Sequence, residues 1–251
     1  MRIFRCTPSG TRTAGTSGEL HSVMPTQTNA DWLQQAALGF RYYWWLKVPA
    51  TTAAMALFFV GYFWLLRHPV FPVTVIPVIS LDRWIAFQPW SIALYASLWV
   101  YISLVPMLLQ PWRELLPYLS AATLLSLAGF VIFFFWPTAA PRPEIDWARY
   151  PSVAFLKSVD AAGNACPSLH VAFSVVSGLW LERWLRRAHA PATPRIISAF
   201  WCLAIIYSTL ATKQHVALDA AAGVALGLAV AMPHLYLLHA SRGLRRGFEP
   251  G

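Results

Sequence analysis

Charge is scarce in this chain. Of its 251 residues only 12% are Asp, Glu, Lys or Arg, against about a quarter in an average soluble domain. Cysteine is scarcer still: Cys6, Cys166 and Cys202 are too few and too dispersed for a structural disulfide framework. The 13 glycines keep no period, which excludes a collagen-like rod. No segment recurs at a solenoid spacing. The net charge of +9 comes with no basic stripe interleaved with aromatics, so a nucleic-acid partner is not indicated. Apolar surface, by contrast, is abundant. The chain is 57% hydrophobic, with 13 Trp, 15 Phe, 9 Tyr and a mean hydropathy of +0.51. A water-soluble globule of this size would expose more apolar surface than water tolerates. Full disorder is excluded by the same composition. An integral membrane protein of one domain remains.

A helix crosses the hydrocarbon core with about 20 apolar residues, and a charge at its centre costs about 2.5–3.5 kcal/mol on insertion scales. Charge-free intervals are therefore a natural ruler. Six occur, and they predict helices near 48–66, 91–109, 115–136, 167–184, 196–212 and 217–238. The expected fold is an all-α, polytopic six-helix membrane bundle. The fourth and sixth helices carry Ser, His and Asp near their starts, so they are expected to face protein or a wet cavity rather than lipid.

Residues 1–30 are rich in Ser, Thr and Gly and read as a disordered tail, without the apolar core of a signal peptide. Met24 is a second candidate start. Residues 31–47, DWLQQAALGFRYYWWLK, read as an interfacial segment with aromatics at headgroup depth. The membrane domain then covers 48–238, and 239–251 forms a basic tail. With the amino end cytoplasmic, thirteen of the nineteen basic residues fall on that side. Both termini are then inside, and the positive charge serves topology and contact with anionic lipid headgroups.

Two loops on the opposite face collect the polar chemistry. One, after the third helix, contains PRPEID and GNACPSLHVAFS; the other, between the fifth and sixth, reads STLATKQHVALD. Together they bring Arg142, Ser168, His170, Lys213, His215 and Asp219 to one membrane surface. His215 and Asp219 are four apart, which on a helix stacks both side chains on one face. A carboxylate on one ring nitrogen fixes the tautomer and leaves the other lone pair free to attack. A plain helix-start ion pair would use the same spacing. His170 follows Pro167 and Ser168, and Pro suits a helix's first turn. The start of that helix aims free N–H groups at an anion. Ser168 adds a hydroxyl, and Arg142 can fork onto phosphate oxygens. A metal site competes, since Cys166 and His170 are also four apart and two His plus Asp can form a triad. The neighbouring Arg142 and Lys213 favour an anion over a cation. No metal or other cofactor is expected.

At these residues the chain resembles the phosphatidic acid phosphatase type 2 superfamily. Its three motifs are a Lys with an Arg-Pro, then Pro-Ser-Gly-His, then Ser-Arg followed by His and Asp. Arg142-Pro143, Pro167-Ser168-Leu169-His170, and Ser208 through His215 to Asp219 fill those places in order. The variant details, including LDRWIAFQPWSIALYASLWVYISLVPMLL at 81–109, resemble the inositol phosphorylceramide synthase-like phosphotransferase branch. Phe135 stands where the family has its first-motif Lys, Leu169 replaces its Gly and Thr209 its third-motif Arg. Two phosphate-binding cations are thus missing, with Lys213 as the candidate for partial replacement.

The resemblance implies double displacement at phosphorus on a lipid-linked phosphate. His215 would be the nucleophile, forming a phosphohistidine, Asp219 its orienting partner and His170 the acid and base. Arg142, Ser168 and Lys213 would hold the phosphate oxygens. A branch member would pass phosphoinositol or a similar headgroup to a lipid alcohol, whereas the wider superfamily would hydrolyse a lipid phosphate or diphosphate with water. The non-enzymatic rival is a transporter or scaffold with a relic anion site. It would have lost His170, His215 or Asp219, and none is missing. The active face would be periplasmic in a bacterium, in the inner membrane.

Overall fold

The computed structural model describes residues 31–110, 112–141, 143–150 and 164–246. The tail over 1–30, with Met24, lies outside the described residues, and so does Arg142. Helix α1 (Asp31–Arg41) is followed at Tyr43 by a left-handed residue, φ 51, and α2 (Trp44–Arg67) starts directly after it. The expected interfacial segment is therefore two pieces, and Lys47 belongs to α2. The Lys47 ammonium is buried and donates to the carbonyls of Gly39, Met107 and Leu109 at 3.0–3.2 Å. It thus satisfies carbonyl groups that would otherwise be stranded in an apolar setting.

A short parallel pair, β1 (Thr74–Val75) with β2 (Thr138–Ala139), joins the loops that follow α2 and α6 (Trp112–Phe135). Between them come α3 (Ser80–Trp84), α4 (Ile92–Ala96) and α5 (Leu98–Leu108). The expected helix 91–109 is interrupted at Ser97. Its N–H is shared between the Ala93 and Leu94 carbonyls and its hydroxyl donates back to Leu94, which tightens the turn. The chain ends in α7 (Leu169–Arg187), α8 (Ala192–Ala211) and α9 (Ala217–Arg246). Helix α9 runs past the expected end near 238, to Arg246.

Five segments, Trp44–Arg67, Pro89–Leu108, Trp112–Phe135, Ala192–Ala211 and Ala217–Ala240, are long and apolar enough to cross a membrane. Helix α7, the expected fourth span, is not among them. It is the central helix, packed against α5, α6, α8 and α9, and its buried face carries Ser174 and Ser177 among Val171, Val176 and Trp180. Outer helices present Leu57, Val60, Leu127, Phe200 and Leu203 outward. Sidedness apart, this is the all-α membrane bundle expected from the charge-free windows.

Lipid tails are as apolar as leucine, so helices in a bilayer associate by close packing rather than by escape from water. The chain answers with GVALG in α9. A Cβ on Gly223 would meet the Ser168 carbonyl oxygen at 2.4 Å, and one on Gly227 would meet the Ala172 oxygen at 2.8 Å. These two glycines let α9 lie directly on the start of α7. That contact sets the distance between the residues described next.

Candidate active site

Ser168 is the N-cap of α7: its Oγ accepts from the Val171 N–H at 3.3 Å. Pro167 therefore precedes the cap rather than occupying the first turn as expected. The Ser168 N–H donates to the Asp219 carbonyl at 3.0 Å, so the two helix starts are tied by backbone. One residue into α7 comes His170, and two residues before α9 comes His215. Their ring centroids are 6.1 Å apart, with the planes at 50°.

His215 Nδ1 lies 3.1 Å from Asp219 Oδ2, both side chains being almost wholly buried. Donation from Nδ1–H to the carboxylate leaves the lone pair on Nε2. The His170 ring stacks on Tyr95 at 4.1 Å and 20°, with the phenol oxygen 3.3 Å from Nδ1, and Trp99 meets it edge-on. His170 Nε2 is buried with no hydrogen-bond partner among the described residues. So two imidazoles face one another: one fixed by a carboxylate, the other clamped by aromatic faces.

The turn presenting His215 is held from outside. Thr209 accepts the Gln214 and His215 N–H groups on its carbonyl, each at 3.1 Å. Asp82 reaches across from α3: Oδ1 accepts the Ala217 N–H at 2.7 Å, capping α9, while Oδ2 accepts the Ile79 N–H at 2.9 Å. Lys213 turns the chain with φ 56, a conformation costing a non-glycine residue about 1–2 kcal/mol. Its Nζ donates to the Asp82 carbonyl at 2.8 Å and to that of Ile85. Partial burial draws this ammonium below the usual lysine range, with the Asp82 carboxylate opposing the shift. The expected phosphate ligand is thus engaged in building the turn.

Around the histidines is a cavity of about 250 Å³, lined chiefly by aromatics: Phe58, Phe59, Tyr62 and Phe63 of α2, Tyr95 and Trp99, and Phe173 of α7. Asn164 is also on its wall. The strand leading to α7 is pinned by Thr138, whose Oγ1 accepts the Cys166 N–H at 2.7 Å and whose carbonyl accepts that of Ala165 at 3.0 Å. Cys166, weighed above as a metal ligand, packs against Ile76 and Val216, and burial, helped by Asp219, raises its thiol pKa to about 11. Among the described residues no three His, Cys, Asp or Glu side chains gather as a metal site.

The departures from the family pattern have local reasons. Leu169 fills the space beside Gly129 of α6, where an added Cβ would meet Leu169 Cδ2 at 2.6 Å. Thr209 is fully buried, its hydroxyl donating to Ile206. Phe135 is 62% exposed at the end of α6 and brings no charge to the site. Sequence reasoning overlooked Tyr95, Asn164 and Asp82. Asp82 and Tyr95 sit in the stretch 81–109 and Asn164 in GNACPSLH, both quoted above for their resemblance, but no spacing rule joins them to the histidines.

The chain is thus a helical membrane bundle with two facing imidazoles at one end, one of them paired with a buried carboxylate. In agreement, the model of the PAP2 superfamily matches residues 114–242, just over half of the chain, and the protein belongs to that superfamily. Its members are membrane phosphatases and phosphotransferases acting on phosphate esters. No curated protein and no solved structure matches the chain.

Proposed function

We propose that the protein is a lipid phosphatase or phosphotransferase working through a covalent histidine intermediate. His215 Nε2 attacks phosphorus; the N–P bond forms as the bond to the leaving oxygen breaks, and His170 Nε2 supplies the proton that oxygen needs. An incoming hydroxyl then attacks phosphorus, its proton passing to His170, while the N–P electron pair returns to His215. Asp219 steadies the positive imidazole between the two steps. The observation carrying this reading is the pair of rings 6.1 Å apart on one cavity wall, with His215 bonded to a carboxylate.

Equatorial oxygen charge has three candidate partners: the Ser168 hydroxyl, the N–H groups at the start of α7 and the Arg142 guanidinium. Lys213 contributes by shaping the turn. The aromatic wall suits a hydrocarbon chain that reaches the histidines from the bilayer side. This supports a lipid-linked phosphate, and the site would open on the non-cytoplasmic face. Resemblance of GNACPSLHVAFS and STLATKQHVALD to the inositol phosphorylceramide synthase-like branch supports transfer of a phospho-headgroup to a lipid alcohol.

The test is to incubate purified protein with phosphatidate, an isoprenyl diphosphate and phosphatidylinositol, the last with and without ceramide. Free phosphate from the first two means hydrolysis; a new phosphorylated lipid from the last means transfer. Labelled phosphate should be trapped on the wild-type chain under alkaline denaturation and be absent from His215→Ala. Full turnover by that folded variant would falsify the proposal.

A further inference from the structure

Asn164 stands apart from the other polar residues near the histidines because one half of its side chain is satisfied and the other is not. The amide NH₂ donates to the backbone carbonyl of Tyr62 in α2 at 3.0 Å. A backbone carbonyl only accepts, so the identity of the two amide atoms is settled: nitrogen faces Tyr62 and Oδ1 is the other atom. Oδ1 is buried and has no hydrogen-bond partner among the described residues, in a residue only 5% exposed. The backbone at Asn164 is fixed by its pairing with Thr138, whose carbonyl accepts the Ala165 N–H, and the amide nitrogen is held by Tyr62. An acceptor left bare in a buried site is costly. Asn164 shares its cavity with His170 and His215, and His170 Nε2 is likewise without a partner.

The chemistry of the two bare atoms differs. His170 Nε2 exchanges a proton; Oδ1 of an amide only accepts. Its partner must bring a donor hydrogen, which the oxygens of an ionised phosphoryl group do not carry. With a phosphatidate or isoprenyl diphosphate donor, the hydroxyl side of the reaction does. In the second half-reaction the entering oxygen gives one hydrogen to His170 as the new O–P bond forms and the N–P bond to His215 breaks. Oδ1 therefore takes a different hydrogen, one that stays on the entering molecule. We infer that Asn164 is a specificity-determining residue that selects an entering nucleophile with two donor hydrogens: water, or an alcohol bearing a neighbouring hydroxyl. A simple monoalcohol satisfies His170 and leaves Oδ1 bare. The inference rests on the covalent histidine reading above and adds to it which acceptors the site favours.

The experiment uses the full chain in detergent with ³²P-labelled phosphatidate, or the isoprenyl diphosphate if that is the substrate turned over. Water competes with equal molarities of propan-1-ol or propane-1,2-diol. If the second hydrogen is a neighbouring hydroxyl, the wild type should label the diol at least about fivefold over the monoalcohol, the ratio expected of one buried hydrogen bond. If it is water's, hydrolysis should dominate and neither alcohol should be labelled. Asn164→Ala and Asn164→Ser should cut the diol preference to below about twofold or, in the water case, slow hydrolysis about tenfold while labelled phosphoenzyme accumulates. For the phosphate donor kcat/KM should hold, because the first half-reaction does not use Oδ1. Asn164→Asp keeps an oxygen acceptor but removes the donor to Tyr62, so it should recover most of the effect.

Two results overturn the inference: deletion variants with unchanged acceptor preference and phosphoenzyme level, or Asn164→Asp falling as far as Asn164→Ala. In either case the amide merely anchors α2. His215→Ala separates the two levels. Turnover in that variant brings down the covalent reading itself, whereas an inert His215→Ala beside unaltered Asn164 variants brings down only the acceptor assignment.

Discussion

At the end of α7 that begins with Leu169, a buried carboxylate stands among polar atoms left open; at the end that closes with Arg187, a buried carboxylate is matched by cations. Near the start, His170 Nε2, Asn164 Oδ1 and Asp219 Oδ1 have no hydrogen-bond partner among the described residues. Near the finish, Glu114 accepts from Arg187 with both oxygens and has Arg183 at 3.8 Å, while Glu182 accepts from Arg195 and Arg186. Both ends hold a carboxylate below a tenth exposed, Asp219 and Glu114. What separates them is the company. One guanidinium nitrogen of Arg187 bridges both oxygens of Glu114 and serves the fold, whereas Asp219 gives one oxygen to the His215 imidazole. Unsatisfied polar atoms are expensive, so a native chain keeps them where a ligand will meet them.

The sharpest way to break this comparison is to neutralise each carboxylate in turn. Asp219→Asn should lower turnover by about a thousandfold or more, since it leaves His215 in place but gives Nδ1 the wrong partner. Glu114→Gln should leave turnover per folded molecule within about twofold while removing about 1–3 kcal/mol of stability, with Arg187 partly exposed and so partly resolvated. Assays of lipid-phosphate turnover alongside thermal unfolding in detergent read both. Equal losses of activity would erase the distinction between the ends.

A second variant asks whether the open end depends on helix spacing. Gly223→Leu should push α9 away from Ser168 and part the two imidazoles. Turnover is expected to fall at least tenfold, about the cost of the overpacking itself, while Gly61→Ala, whose nearest neighbours are atoms of the Phe130 ring, should stay near wild type. A cysteine pair introduced across the two helix starts would report the spacing by cross-linking. The smallest effect concerns Tyr95. Tyr95→Phe keeps the ring on His170 and should retain turnover within about threefold, whereas Tyr95→Leu should lose up to about tenfold, the worth of one aromatic stack. Full activity in Tyr95→Leu would remove the clamp from the account.

Much of the architecture was legible in the chain. Intervals free of charge located the helices because a bilayer penalises a central charge far more than it rewards any local propensity. His215 and Asp219 do meet, as their i, i+4 spacing suggested, but His215 stands two residues ahead of α9, so the contact closes over the helix start rather than along a helical face. Position 97 resisted this reading: the interruption depends on a serine hydroxyl choosing its own backbone, an option every serine has. Lys213 resisted it too. That the cation beside His215 also holds the carbonyls of Asp82 and Ile85, 128 residues or more away in sequence, is written in no spacing.

Composition and period alone therefore determined that this chain enters a membrane as a helical bundle and that a His–Asp pair stands at the mouth of its last helix. Solvent exclusion and helical pitch act on neighbours in sequence, and neighbours are what a sequence displays. Tertiary structure decided what surrounds that pair: the second imidazole, the aromatic face beneath it, the half-satisfied Asn164 and the carboxylate of Asp82 capping α9. Those arrangements depend on how closely helices can approach, and two glycines on α9 settle that approach only when the surface they touch is in place.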